Sequence, residues 1–220
     1  MSKIFNDKLN ELNHMLIEMG ALVERTIALT NKGLVTQSIE LADEAISCDR
    51  EIDTMERHIE EFSHNLQLLN SPVARDLRVV NSARRIIADM ERIGDQCADI
   101  SEITKILADQ TYIKALEHIP QMADATAKMV TDAIDAYVKQ NLDLAKAVRA
   151  FDDEIDRLFL AVKNELLDLI RINPDNIVQS IDLLMIAKYF ERIGDHAENI
   201  AEWVEFSITG NHPKLKQPDV

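Results

Sequence analysis

The pentapeptide Glu-Arg-Ile-Gly-Asp stands at residues 91–95 and again at residues 191–195. A whole motif recurring at that distance marks a chain built as two copies of one unit. The motif is also unfavourable where it sits. Both copies lie in apolar stretches of helical period, where an interior glycine costs about 1 kcal/mol relative to alanine. The two acids, four residues apart, add a few tenths of a kcal/mol of repulsion. Helix stability alone does not account for finding such a segment twice.

The surrounding sequence predicts an all-α fold. Its 220 residues contain only five glycines and five prolines, and breakers that sparse favour long helices over many short strands. Loop residues divide the chain into six helical runs, at about 4–30, 36–69, 72–107, 120–139, 142–172 and 174–209. Asn31-Lys32-Gly33 reads as the end of the first. Ser71 before Pro72 and Asn173 before Pro174 each read as a cap followed by proline at the first helical position, and Asn141 caps the fifth run. The two halves align at offsets of 100 to 103 residues: Asp49-Arg-Glu-Ile-Asp53 with Asp152-Asp-Glu-Ile-Asp156, Pro72 with Pro174, and the two pentapeptides. The expected architecture is two tandem three-helix bundles, residues 1–109 and 110–210, followed by a frayed tail at 211–220.

The formal net charge of −15 repels nucleic-acid phosphates and anionic membranes, so neither is an expected partner. Arg75, Arg78, Arg84 and Arg85 come nearest to a local basic patch. The same charge opposes direct phosphate binding unless bound metal inverts the local field. Cys48 and Cys97 have no metal-ligand spacing and read as buried thiols of a reducing compartment. No stretch is long and apolar enough to span a membrane, and the amphipathic start does not resemble a signal peptide. No nucleophile–base pair or glycine-rich phosphate loop is visible. Tyr189, Phe190, Trp203 and Phe206 read as core.

Carboxylates carry the candidate chemistry. Each half has two acid-x-x-x-acid pairs, Asp49/Asp53 with Glu91/Asp95 and Asp152/Asp156 with Glu191/Asp195, each pair on one helix face. The 39 acids would produce about seven such pairs by chance at helical-neighbour spacing. The chain has nine, so abundance decides nothing and placement decides everything. In each half the second and third helices must be antiparallel, and the two pairs lie about 20 residues on either side of the turn. Both routes climb ~30 Å, so four carboxylates meet at one level in each half. Such a cluster is a hard-ligand set suited to Mg²⁺, Ca²⁺, Mn²⁺ or iron, with zinc a further candidate. The competing reading is a solvated acidic face, since Asp49/Asp53 and Asp152/Asp156 lie on the flank of their apolar stripes and Glu191/Asp195 lies nearly opposite the stripe of Tyr189, Ile193, Ile200 and Trp203. The glycines at 94 and 194 favour a site, because close approach of a helix or ligand is the usual reason to keep one.

At these residues the chain resembles the PhoU family of phosphate-specific transport accessory regulators. The resemblance rests on the duplication, on the pentapeptide in each half, and on Ser71-Pro-Val-Ala-Arg-Asp-Leu-Arg-Val-Val leading to the first. It implies a cytoplasmic, often dimeric protein of two similar three-helix bundles. Such a protein negatively regulates the phosphate transporter and phosphate-starvation signalling by contacting the transporter ATPase subunit and a sensor histidine kinase. Some members hold multinuclear iron or other metals through acid-x-x-x-acid motifs, and others have none. Asp99 could extend the first cluster; its counterpart is Asn199, so the two sites need not be equal. Two alternatives remain. One is a metal-free helical scaffold. The other is a di-iron enzyme using Glu11-Leu-Asn-His14 and Glu61-Phe-Ser-His64, which a ~15 Å height mismatch disfavours.

Overall fold

The computed structural model describes residues 3–70, 74–114 and 116–214. These contain no strand and six long helices: α1 (Lys3–Thr36), α2 (Ile39–Asn70), α3 (Ala74–Leu107), α4 (His118–Lys139), α5 (Leu142–Ile172) and α6 (Ile177–Thr209). A 3₁₀ turn at Pro174–Asn176 leads into α6. Helices α1–α3 pack as one bundle and α4–α6 as a second. The reason is visible in α1, whose buried Leu12, Leu16, Met19, Val23 and Ile27 recur at steps of three and four and form one stripe.

The two bundles share their core. Helix α3 packs against α6 as extensively as against α2, and α1 lies on α4. The α3–α6 contact is antiparallel: Arg85 lies over Trp203, while Asp89, further along α3, meets His196, further back along α6. This pairing sets the two pentapeptides at about the same height on a common interface.

Helix α1 runs past Gly33 to Thr36, where the sequence suggested a stop. A Cβ at Gly33 would stand 3.3 Å from both the Ala42 nitrogen and the Leu41 Cβ, so this glycine serves close packing of α2 and does not end the helix. The chain reverses instead at Gln37, with φ of 53°. The Gln37 amide donates to the carbonyls of Leu107 (2.6 Å) and Gln110 (2.7 Å). In the same connector the Tyr112 hydroxyl donates to the Leu34 carbonyl (2.6 Å) and the Ile113 N–H to Gln179 Oε1 (2.6 Å). The segment between α3 and α4 is thus bonded to both bundles.

Asn141 caps α5 by accepting from the Leu144 N–H at 3.1 Å, which satisfies one of the orphan donors of a first turn. Asn173 accepts from the Asp175 N–H at 3.1 Å and caps the 3₁₀ turn. Gly210, at φ of 80°, ends α6. The predicted cap and proline at Ser71 and Pro72 lie outside the described residues. Cys48 and Cys97 are buried, unbridged thiols.

Candidate metal centres

At Gly94, α3 lies directly against α2. A Cβ there would stand 2.7 Å from Asp49 Oδ1 and 3.1 Å from Ile52 Cδ1. The second bundle repeats the arrangement, with a Cβ at Gly194 falling 3.2 Å from both Asp152 Oδ1 and Ile155 Cγ2. In each half the bare glycine backbone makes room for the first aspartate of the neighbouring helix, beside a motif that contributes two more acids.

The acids act on one another. Burial first, then Asp53, Asp95 and Glu91, push the Asp49 carboxyl up to about 6. Burial, then Asp95 and Asp53, raise Glu91; burial, then Asp53 and Asp99, raise Asp95. In the second bundle burial, then Asp195, Glu198, Asp156 and Glu191, push Asp152 up to about 7. Burial and Glu191 raise Asp195, with Lys188 and His196 acting in the opposite sense. The structure therefore gathers Asp49, Asp53, Glu91 and Asp95 in one group and Asp152, Asp156, Glu191 and Asp195 in another. All occupy half-buried or exposed positions and none lies in a core.

As the side chains stand, no three His, Cys, Asp or Glu among the described residues are arranged to hold one ion. Asp95, Asp156 and Asp195 are exposed, and exposed side chains change rotamer within nanoseconds; the helices fix where the groups start. One atom speaks for a cation. Asp49 Oδ1 is enclosed and accepts no hydrogen bond, which costs about 1–3 kcal/mol, and a positive ion would supply what it lacks. The donor set is all oxygen, as hard divalent ions and iron prefer.

The two groups differ. Lys188 pairs with Glu191 and lies 5.5 Å over the Phe159 ring, whereas the first-half counterpart is Ala88. Asp99 adds its charge to the first group. Asn199 instead turns to the other bundle and donates to Asp89 Oδ1 at 3.4 Å. Sequence reasoning missed Glu198, which acts on Asp152 and is itself held by Lys214 at 3.1 Å. The available signal was its place one turn beyond Gly194. It also missed Glu56, which acts on Glu91. The pair His196 Nδ1–Asp89 Oδ1, at 2.9 Å, joins the halves and had no local signal at all.

Glu11, His14, Glu61 and His64 are all exposed, so they form no di-iron site inside a bundle. Phe190 is core, as expected; Tyr189 and Trp203 are partly buried against that core, and Trp203 and the partly buried Phe206 also line a cleft between the bundles. They lie near the C-terminal end of α6, where it faces the arginines of α3.

The profile of the PhoU domain matches twice, over residues 16–104 and 119–204. A Clostridium acetobutylicum protein described as a phosphate-specific transport system accessory protein PhoU homolog is 35% identical over 214 residues, covering 97% of this chain and 98% of its own. An Aquifex aeolicus protein of the same description is 35% identical and covers 86% of each chain. Among solved structures, PhoU from Pseudomonas aeruginosa superposes with a TM-score of 0.90 at 30% identity, covering 94% of this chain and all of its own. The phosphate transport system regulatory protein PhoU from Streptococcus pneumoniae gives 0.89 at 27% identity, over 96% of this chain and all of its own.

Proposed function

The chain belongs to the PhoU family, and from that premise we propose that it is a non-enzymatic regulator of phosphate uptake whose two carboxylate groups bind metal. In this reading it acts in the cytoplasm, as a homodimer, and restrains the phosphate transporter and phosphate-starvation signalling through contacts with the transporter ATPase subunit and a sensor histidine kinase. No helix among the described residues is long and apolar enough to cross a membrane. One feature supports action by contact. Ile172, Val178, Ile181 and Met185 stand exposed around the α5–α6 turn, and exposed apolar side chains gathered in one place suit a protein partner.

The observation that carries the metal reading is the glycine-seated aspartate of each bundle, held among three further acids. Asp49, Asp53, Glu91 and Asp95 would hold ions at the first site, and Asp152, Asp156, Glu191 and Asp195 at the second. Iron, zinc, manganese, magnesium and calcium are the candidate ions, singly or in a multinuclear cluster. The metal would tie α2 to α3 and α5 to α6 and neutralise a surface that partners must approach. A metal-free scaffold is the second reading, favoured at the second site by Lys188, which already neutralises Glu191.

Metal analysis of the purified protein, beside the double variant Asp95→Asn with Asp195→Asn, tests the site. Bound metal in the wild type and its loss in the variant are expected; equal metal in both removes these residues from consideration. Capture of the transporter ATPase and the sensor kinase, with and without chelator, tests the role. Undiminished capture under chelation would leave the protein a scaffold and make the metal incidental.

A further inference from the structure

Where the second half of α6 crosses the first half of α3, a cleft of about 550 Å³ opens between α2, α3 and α6. A smaller space of about 260 Å³ continues from it along α3. The two share Arg85, Ala88 and Trp203 as lining residues. Their size is that of small-molecule sites.

In a chain of net charge −15, the carboxylates of Glu56, Glu60, Asp89 and Glu202 line these two spaces together with four cations, Arg84, Arg85, Arg92 and Lys214. Two of the cations are occupied: Arg84 pairs with Glu60 at 2.8 Å, and Lys214 with Glu198 at 3.1 Å and Glu202 at 3.3 Å. Arg85 and Arg92 are exposed and form no ion pair or hydrogen bond with any described residue. They stand two turns apart on one face of α3, ~10 Å along the axis. The Arg85 guanidinium lies 5.5 Å over the Trp203 ring, which holds it at the mouth of the cleft. Trp203 is the single tryptophan of the chain; His212 packs at 4.4 Å and Phe206 at 5.7 Å from it. Across the cleft stand Glu56, Glu60 and Asn81.

We propose that this cleft binds a nucleotide, with its base against Trp203, its phosphates on Arg85 and Arg92, and its sugar hydroxyls toward Glu56 and Glu60. Each part of the ligand meets the chemistry it needs. Bases stack on aromatic side chains, planar guanidinium groups match phosphate oxygens in pairs, and carboxylates accept from ribose hydroxyls. An inorganic anion would leave the aromatic wall unused and face two carboxylates without offering them a donor. An uncharged base would leave both arginines unpaired.

Because the chain has one tryptophan, its emission reports on this cleft alone. The full-length protein is titrated with ADP in EDTA, so that no metal bridges phosphate to the acid groups, and equilibrium dialysis with labelled ADP gives a second readout. Saturable quenching with matching dialysis is expected. Adenosine and pyrophosphate, each tested separately, should bind at least ~tenfold more weakly than ADP, and Arg85→Ala and Arg92→Ala should each weaken ADP by ~tenfold or more. Both arginines are exposed, and unchanged thermal melting of the variants checks that the fold is kept. Absence of binding by both readouts, pyrophosphate binding as tight as ADP, or variants that bind like the wild type would each overturn the proposal.

Discussion

Replacing Asp152 by asparagine should stabilise the metal-free protein at neutral pH. The folded Asp152 carboxyl is pushed from its ordinary 3.8 up to about 7, by burial and then by Asp195, Glu198, Asp156 and Glu191. A displacement of about three pH units corresponds to ~4 kcal/mol. The group is only half-buried, and water screens part of that energy; a discount of about half leaves ~2 kcal/mol. In a chain of this length each kcal/mol moves Tm by about 2–4 °C, so the variant should melt ~4–8 °C higher. The sign follows from proton counting. Between about pH 4 and pH 7 the folded carboxyl keeps a proton that the unfolded one has released, so wild-type stability falls as pH rises through that window. Below pH 4 both forms are protonated and the gap between wild type and variant closes. Thermal melts in EDTA, followed by circular dichroism from pH 4 to pH 8, should show that gap opening with pH. Asp49→Asn should behave alike with a smaller rise, since Asp49 reaches only about 6. An ion that occupies the site should then raise the wild type and not the variant. A variant melting at or below the wild type at pH 7 in EDTA would refute the electrostatic reasoning.

Gly94→Ala sets a gain of about 1 kcal/mol in helix propensity against a Cβ placed 2.7 Å from Asp49 Oδ1. Denaturant unfolding should change by less than that gain, while metal titration should show weakened binding, because the displaced atom is the proposed ligand. Gly194→Ala, whose Cβ falls 3.2 Å from Asp152 Oδ1, should lose less. Gln37→Ala removes the donor that serves the Leu107 and Gln110 carbonyls, and urea unfolding should show a loss of ~1–2 kcal/mol.

Much of this arrangement was legible because helices are rulers. Constant rise per residue turned counts from the turns into heights, and the duplicated counts put Asp49/Asp53 level with Glu91/Asp95, and Asp152/Asp156 level with Glu191/Asp195. The glycines announced close approach without naming the neighbour; the structure supplies Asp49 and Ile52 for Gly94, and Asp152 and Ile155 for Gly194. Gly33 was misread because a close-packing glycine and a terminating one look alike in one dimension. The cleft beside Trp203 and Phe206 was not legible, because an aromatic stripe does not reveal whether the facing helix fills the space beside it.

By itself the sequence determined the helical class, the twofold internal duplication, and the level at which eight acids stand, since these follow from local periodicity and counting along single rods. Only the tertiary structure decided how the two bundles dock: α3 antiparallel on α6, Asp89 against His196, and Arg85 over Trp203 beside a cleft. Those pairings join residues more than a hundred positions apart, and no period within a helix encodes which face of a distant helix it will meet.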